Sequence, residues 1–191
     1  PDLVGQKKGA NTSVGEAVSK GFEFEAVYSH NRSWQTIMGY SYLDAYAARD
    51  NNTNTSNYNG RPLNGSVKHQ ASLVTKYRFV DGALKGFDVV LGARYRGKLF
   101  RRSFNSDGTD VLDPSKTIVG NYSDGDIVGD FKLGYETKVW GRDLSLSLNV
   151  NNLFGAERWK GFKPGEPGQL ASEAYYYTVP ETYSFTAAIT F

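Results

Sequence analysis

Apolar and polar side chains alternate along most of this chain with the two-residue period of a β-strand. The first block runs over about residues 19–30, with Phe22, Phe24, Ala26 and Tyr28 on one face and Glu23, Glu25, Val27 and Ser29 on the other. A second, about 33–45, sets Trp34, Thr36, Met38, Tyr40 and Tyr42 against Gln35, Ile37, Gly39 and Ser41. Further blocks fall at about 69–80, 87–99, 127–139, 143–154 and 181–191. The block at 87–99 opposes Phe87, Val89, Leu91, Ala93 and Tyr95 to Asp88, Gly92, Arg94, Arg96 and Lys98. The pattern predicts an all-β fold, an antiparallel meander of about seven strands.

The connections alternate too. Asn31-Arg32, the Asp81–Gly86 stretch and Gly141-Arg142 read as tight turns, Gly141 suiting the first central position of a type II′ hairpin. The other connections, about 46–68, 100–126 and 155–180, are long and rich in Asn, Ser, Gly, Asp and Tyr. Short turns on one rim and long loops on the other describe an outer-membrane barrel. A soluble sandwich or small barrel would alternate as well, with its apolar face inward. Three features favour lipid. The polar face is charged at mid-strand, as a wet lumen allows. Aromatics (Phe22, Tyr28, Trp34, Phe79, Phe87, Tyr95) cluster near strand ends, where a girdle would lie. The chain closes on the alternating series Tyr183, Phe185, Ala187, Ile189, Phe191.

Composition agrees with this reading. Among 191 residues there are 13 Tyr, 11 Phe and 21 Gly, the strand and turn formers such a fold consumes. Mean hydropathy is negative, and no apolar run approaches the ~20 residues of a spanning helix. A membrane barrel stays open, because its strands turn only alternate residues to lipid. With no cysteine, disulfides, thiolate metal sites and Cys nucleophiles are excluded. A net charge of +2 gives no argument for nucleic acid as a partner. The start, Pro1-Asp2-Leu3-Val4-Gly5, has no signal-peptide pattern, so the N-terminal part of an outer-membrane parent is expected to lie outside this chain.

Three segments resemble the C-terminal barrel portion of TonB-dependent outer-membrane receptors. Ser19-Lys20-Gly21-Phe22-Glu23-Phe24-Glu25 resembles that family's S-[KR]-G-x-E strand start. Trp34, followed by Gly39-Tyr40-Ser41-Tyr42-Leu43-Asp44-Ala45, resembles its next strand. Leu148-Asn149-Val150-Asn151-Asn152-Leu153-Phe154 resembles its N-V-x-N-L-F strand end. The Asn151-Asn152 pair and the following Ala156-Glu157-Arg158-Trp159 depart from commoner versions, so the resemblance stops at the family. The terminal series Tyr183, Phe185, Ile189 and Phe191 resembles the last strand of outer-membrane proteins, where a terminal Phe is a signal for the insertion machinery.

The resemblance implies active uptake of a scarce nutrient, such as a ferric siderophore, driven through TonB. Family barrels have 22 strands and a plugged lumen. The chain is thus expected to be incomplete: residues 1–18 a truncated external loop, residues 19–191 the C-terminal barrel portion. Its partners would be outer-membrane lipid, the insertion machinery, the remaining barrel and plug, and TonB through that remainder. A passive porin and a soluble β-barrel binding protein are the alternatives.

Catalytic and metal sites find little support. The two histidines, His30 and His69, stand far apart and read as rim residues. Glu23 and Glu25 share a face at strand spacing, but no nucleophile or base accompanies them. Asp124-Gly125-Asp126 lacks the remaining ligands of a calcium loop. Asn54-Thr55-Ser56 and Asn121-Tyr122-Ser123 read as turn formers. No enzyme activity and no cofactor is expected.

The basic run is the main binding candidate. Arg94, Arg96 and Lys98 line one face of a strand, with Arg101 and Arg102 beyond. A field of one sign at a barrel mouth would gather an anionic chelate. The competing and favoured reading is internal pairing with Asp126 and Asp130 on the next strand. Trp159, Phe162 and Tyr175-Tyr176-Tyr177, in the last long loop, could stack on a ring or pack on one another. Near the second tight turn, Phe79 is expected opposite Phe87, which sets Arg78 against Asp88. Phe191 is expected at the periplasmic rim, and the strands near Phe22 and Phe185 should each keep an open edge.

Overall fold

The computed structural model describes residues 15–50, 59–105, 118–156 and 180–190. Its strands are β1 (Gly15–Ser29), β2 (Trp34–Asp50), β3 (His69–Arg78), β4 (Phe87–Arg96), β5 (Leu99–Asn105), β6 (Ile118–Ser123), β7 (Asp126–Val139), β8 (Arg142–Asn151) and β9 (Thr182–Thr190). Seven of them form one sheet in the order β1-β2-β3-β4-β7-β8-β9, every neighbour antiparallel. Among the described residues β1 pairs only with β2 and β9 only with β8, which leaves the sheet open at both ends. This is the expected meander.

Two departures lie at the long-loop rim. Within the connection expected over 100–126, β5 and β6 form a separate two-stranded sheet. The segment before β3 holds it: Gly65 N–H donates to the Phe100 carbonyl and Phe100 N–H to the Ser66 carbonyl. Phe100 is buried there beside Val67, with its ring edge-on to Tyr122. The shift between Phe100 and Arg102 interrupts the register, which hides the strand pattern in the sequence. The β1–β2 hairpin also reaches further than expected, pairing from Gly15↔Asp50 onward. Nothing in Ala45-Tyr46-Ala47 breaks a strand, so Gly15–Val18 belong to a strand rather than to the loop expected over residues 1–18.

The turns follow from local chemistry. Asn31 Oδ1 accepts from the Ser33 and Trp34 N–H groups, closing β1 onto β2. Between β7 and β8 the central pair is Trp140-Gly141, with φ of 52° and 77°, because Val139 stands opposite Arg142. Two positive φ values define a type I′ turn, which corrects the type II′ assignment and its choice of Gly141-Arg142. β8 stops at Asn151 rather than near 154, because Asn152 takes a positive φ of 56°.

The register fixes which residues share a face. Row by row, Phe24, Tyr40, Ala71, Tyr95 and Ile127 stand side by side, as do Trp34, Tyr77, Val89, Leu133, Leu148 and Phe185. Phe22, Leu73, Leu91, Leu133, Leu146 and Phe185 all lie on this face. Glu23, Lys76, Arg94, Lys132 and Ser184 lie on the other. Nothing within the described residues covers the apolar face: Phe22 is 59% exposed, Leu91 48% and Phe185 68%. A single sheet layer cannot bury that surface in water, whereas lipid solvates it directly.

Successive short turns are staggered. Followed along the register onto β7, the β1–β2 turn is level with Lys132 and the β3–β4 turn with Tyr135, while the β7–β8 turn lies beyond Val139. A sheet whose strands tilt against a common axis needs such a stagger to keep its rim level.

Candidate functional site

The face opposite the apolar one carries the chemistry. On β4 and β7, alternate residues bring basic and acidic groups into adjacent rows. Arg94 Nη2 donates to Asp130 Oδ2 at 2.8 Å, and Arg96 Nη2 to Asp126 Oδ2 at 2.9 Å. The internal-pairing reading of the basic run therefore holds for these two residues. Asp126 is thereby engaged with Arg96, and Gly125 fits closely against the Arg96 carbonyl and Gly97. Lys98 follows β4, exposed and without an ion partner among the described residues. Trp159, Phe162, Tyr175-Tyr176-Tyr177 and Phe191 lie outside the described residues. Tyr183, Phe185 and Ile189 line up on the apolar face of β9, exposed.

Nearer the short-turn rim, Arg78 stands opposite Asp88 in register, as expected. Its ion pair, however, is with Glu136 at 2.6 Å. Asp88 instead sits 4% exposed over Gly134, with Lys76 Nζ 3.9 Å from its Oδ2. The expected Arg78–Asp88 pair is thus replaced by two crossed ones. Glycine at position 134 opens room for the Asp88 carboxylate, and Arg78 reaches the longer Glu136 two residues along β7.

β1 to β3 are different. Glu23 and Glu25 are exposed and have no ion partner among the described residues. Beside them Val27, Ile37 and Val74 form one row across three strands, at 60%, 41% and 43% exposure. With Gly39, Ser41, Gln70, Ser72, Arg94 and Arg96, the two carboxylates border a shallow cavity of about 630 Å³. It has an acidic flank, a floor of small polar residues and a basic flank already paired. The apolar row was not recognisable as a patch in sequence, because its members come from three strands.

β8 and β9 carry a neutral ladder. Asn149 Nδ2 donates to Ser184 Oγ at 3.4 Å, and Asn151 Nδ2 to Thr182 Oγ1 at 3.3 Å. At the strand end the Asn152 N–H donates to Asp130 Oδ1 at 3.2 Å. The Asn152 side chain closes a loop with Ala156 through both its amide nitrogen and its oxygen. Phe154 then lies over Gly129, where any Cβ would strike its ring. The Asn151–Phe154 motif is thus a lock on the strand end, with Gly129 as its seat.

The histidines sit on opposite rims. His30 Nδ1 is 3.1 Å from the Tyr28 hydroxyl, and His69 Nδ1 is 2.8 Å from that of Tyr40. No group of three or more His, Cys, Asp or Glu suited to a metal occurs among the described residues. At the long-loop rim, the Asp44 carboxylate accepts from Lys68 at 2.8 Å and holds that ammonium above its ordinary pKa.

A single-layer antiparallel sheet, apolar and exposed on one face, ion-paired on the other, with tight turns along one rim, defines a segment of a membrane β-barrel. The chain belongs to the TonB dependent receptor-like β-barrel family, whose model matches residues 2–153. It is 30% identical to the ferrichrome outer membrane transporter/phage receptor of Escherichia coli K12 over 82% of this chain and 19% of that protein. It is 29% identical to the metal-pseudopaline receptor CntO of Pseudomonas aeruginosa over 85% of this chain and 21% of that protein. Among solved structures, it superposes on the ferripyoverdine receptor of Pseudomonas aeruginosa with a TM-score of 0.62 at 23% identity, over 90% of this chain and 19% of that one. The chain spans about a fifth of the length of these relatives.

Proposed function

We propose that this chain is the C-terminal barrel portion of an outer-membrane receptor of a Gram-negative bacterium, which takes up a scarce nutrient such as a ferric siderophore through TonB. The family match carries the reading, and the relatives named for ferrichrome and metal-pseudopaline supply its cargo class. The seven-stranded sheet of β1 to β4 and β7 to β9 is a piece of barrel wall; the remaining strands and a lumen-filling plug belong to the rest of the receptor. The plug relays the TonB contact. The terminal series Tyr183, Phe185, Ile189 and Phe191 is the segment presented to the insertion machinery.

Within this reading, the two halves of the polar face have separate work. Glu23, Glu25 and the Val27–Ile37–Val74 row want a partner with a basic group beside an apolar one, and the lumen-filling part supplies it. Arg94 and Arg96 are neutralised by Asp130 and Asp126, so their part in anion capture is positional. Lys98, with Trp159 in the last loop, is the better candidate for meeting an anionic chelate at the mouth.

The test is uptake by intact cells carrying the whole receptor as their sole route for a panel of labelled ferric chelates. Uptake of at least one chelate, abolished by loss of TonB, is the expected result. Uptake indifferent to TonB would mean a passive pore and end this reading.

A further inference from the structure

We propose that Trp140 is an interfacial anchor, seating the β7–β8 hairpin at the phospholipid headgroup level of the bilayer. The inference rests on the membrane-barrel reading but not on any cargo.

The turn itself is the first observation. Trp140 and Gly141 are the central residues of a type I′ turn, both at positive φ. Asn-Gly or Asp-Gly fits that turn without strain. A bulky aromatic side chain rarely adopts this backbone conformation. The position therefore holds tryptophan against its local preference.

The second observation is that no described part of the protein engages the indole. Trp140 is 92% exposed, the most exposed large hydrophobic residue among those described. It makes no hydrogen bond or ring contact with any described residue. Fold stability does not account for it, and water is a poor environment for an indole.

The third is its place. Three aromatic pairs mark the short-turn rim on the apolar face: Tyr28 with Trp34, Tyr77 with Phe79, and Phe87 with Tyr135. The stagger of successive hairpins carries the β7–β8 tip to the same rim. Just inside it, the row Thr137, Leu144 and Ile189 continues the apolar face, while Lys138 and Asp143 pair on the polar one. An indole at that height meets the boundary where its ring is wanted by acyl chains and its N–H by water and headgroup oxygens.

The experiment uses the whole receptor, labelled with 5-fluorotryptophan and reconstituted in phosphatidylcholine bilayers. The Trp140 resonance is assigned by its absence from Trp140→Phe, or from the turn-favoured Trp140→Asn if the first variant does not assemble. Broadening is then compared between a lipid carrying a nitroxide near its glycerol end and a water-soluble paramagnetic chelate. The proposal predicts several-fold stronger broadening of Trp140 by the lipid probe. Stronger broadening by the aqueous chelate overturns it, and so does protection from both probes, which would mean that protein covers the indole. Trp34, on the apolar face, tests the membrane-barrel reading separately. If Trp34 responds to the aqueous chelate rather than the lipid probe, the membrane-barrel reading itself fails.

Discussion

On the polar face of the sheet, the sector of β1 to β4 with β7 and the sector of β8 and β9 solve the same problem in opposite ways. The first sector carries charge: Arg94, Arg96, Arg78 and Lys76 meet Asp130, Asp126, Glu136 and Asp88 across strands. Its edge at β1 keeps Glu23 and Glu25 without ion partners among the described residues, next to an exposed apolar row. Beyond the Lys138–Asp143 pair at its short-turn end, the second sector presents amides and hydroxyls, and Asn149 and Asn151 find partners on β9. A neutral hydrogen-bonded ladder completes itself and tolerates water. Water solvates Glu23 and Glu25 but not the exposed Val27, Ile37 and Val74 beside them, and under the proposed function this is where the lumen-filling part would pack.

The sharpest way to break this contrast is Asp130→Lys. It removes the acceptor of both Arg94 and the Asn152 N–H, and it sets a cation against Arg94. Losing hydrogen bonds to a charged group should cost about 2–3 kcal/mol, read as a lower urea midpoint of the reconstituted receptor. An unchanged midpoint would mean that the ion-paired sector contributes nothing to the wall.

Gly134→Val comes next. A Cβ there would lie 2.5 Å from Asp88 Oδ1, and crowding of this kind costs roughly 1–3 kcal/mol. Asp88→Ala should recover part of that loss in the double variant; a strictly additive result would show that the two residues do not touch.

A double-mutant cycle on Arg78 and Glu136 should give a coupling of about 0.2–1 kcal/mol, small because the pair is partly exposed. High salt should reduce it. The same cycle on Arg78 and Asp88 should give no coupling, although these two residues face each other in register.

The smallest effect belongs to the neutral sector. Asn149→Ala should cost about 0.5–1 kcal/mol and show no dependence on ionic strength. A salt-dependent loss there would erase the distinction between the sectors.

Which of these features the sequence could reveal follows from the range over which each is determined. The side-chain alternation of Phe87–Arg96 is fixed by neighbours two residues apart, so strand and faces were readable. The pairing of Arg94 and Arg96 with Asp130 and Asp126 was readable because β4 and β7 are sheet neighbours at a consistent register. The Arg78–Glu136 pair was not, since it depends on glycine at 134 giving Asp88 somewhere else to go. β5 escaped detection because a register shift falls inside a short strand. The β7–β8 turn was misassigned because tryptophan is an improbable occupant of a positive-φ position, and only the Val139↔Arg142 pairing exposes it.

In the barrel reading, one face of this sheet meets lipid and the other an aqueous lumen. The chain has no cysteine, so single cysteines placed along Phe87–Arg96 in the reconstituted receptor report it directly. A two-residue beat is expected: Val89, Leu91, Ala93 and Tyr95 positions reached by a bilayer-confined thiol probe, and Asp88, Val90, Gly92 and Arg94 positions by a water-soluble one. The opposite phase, or water access at every position, would contradict it.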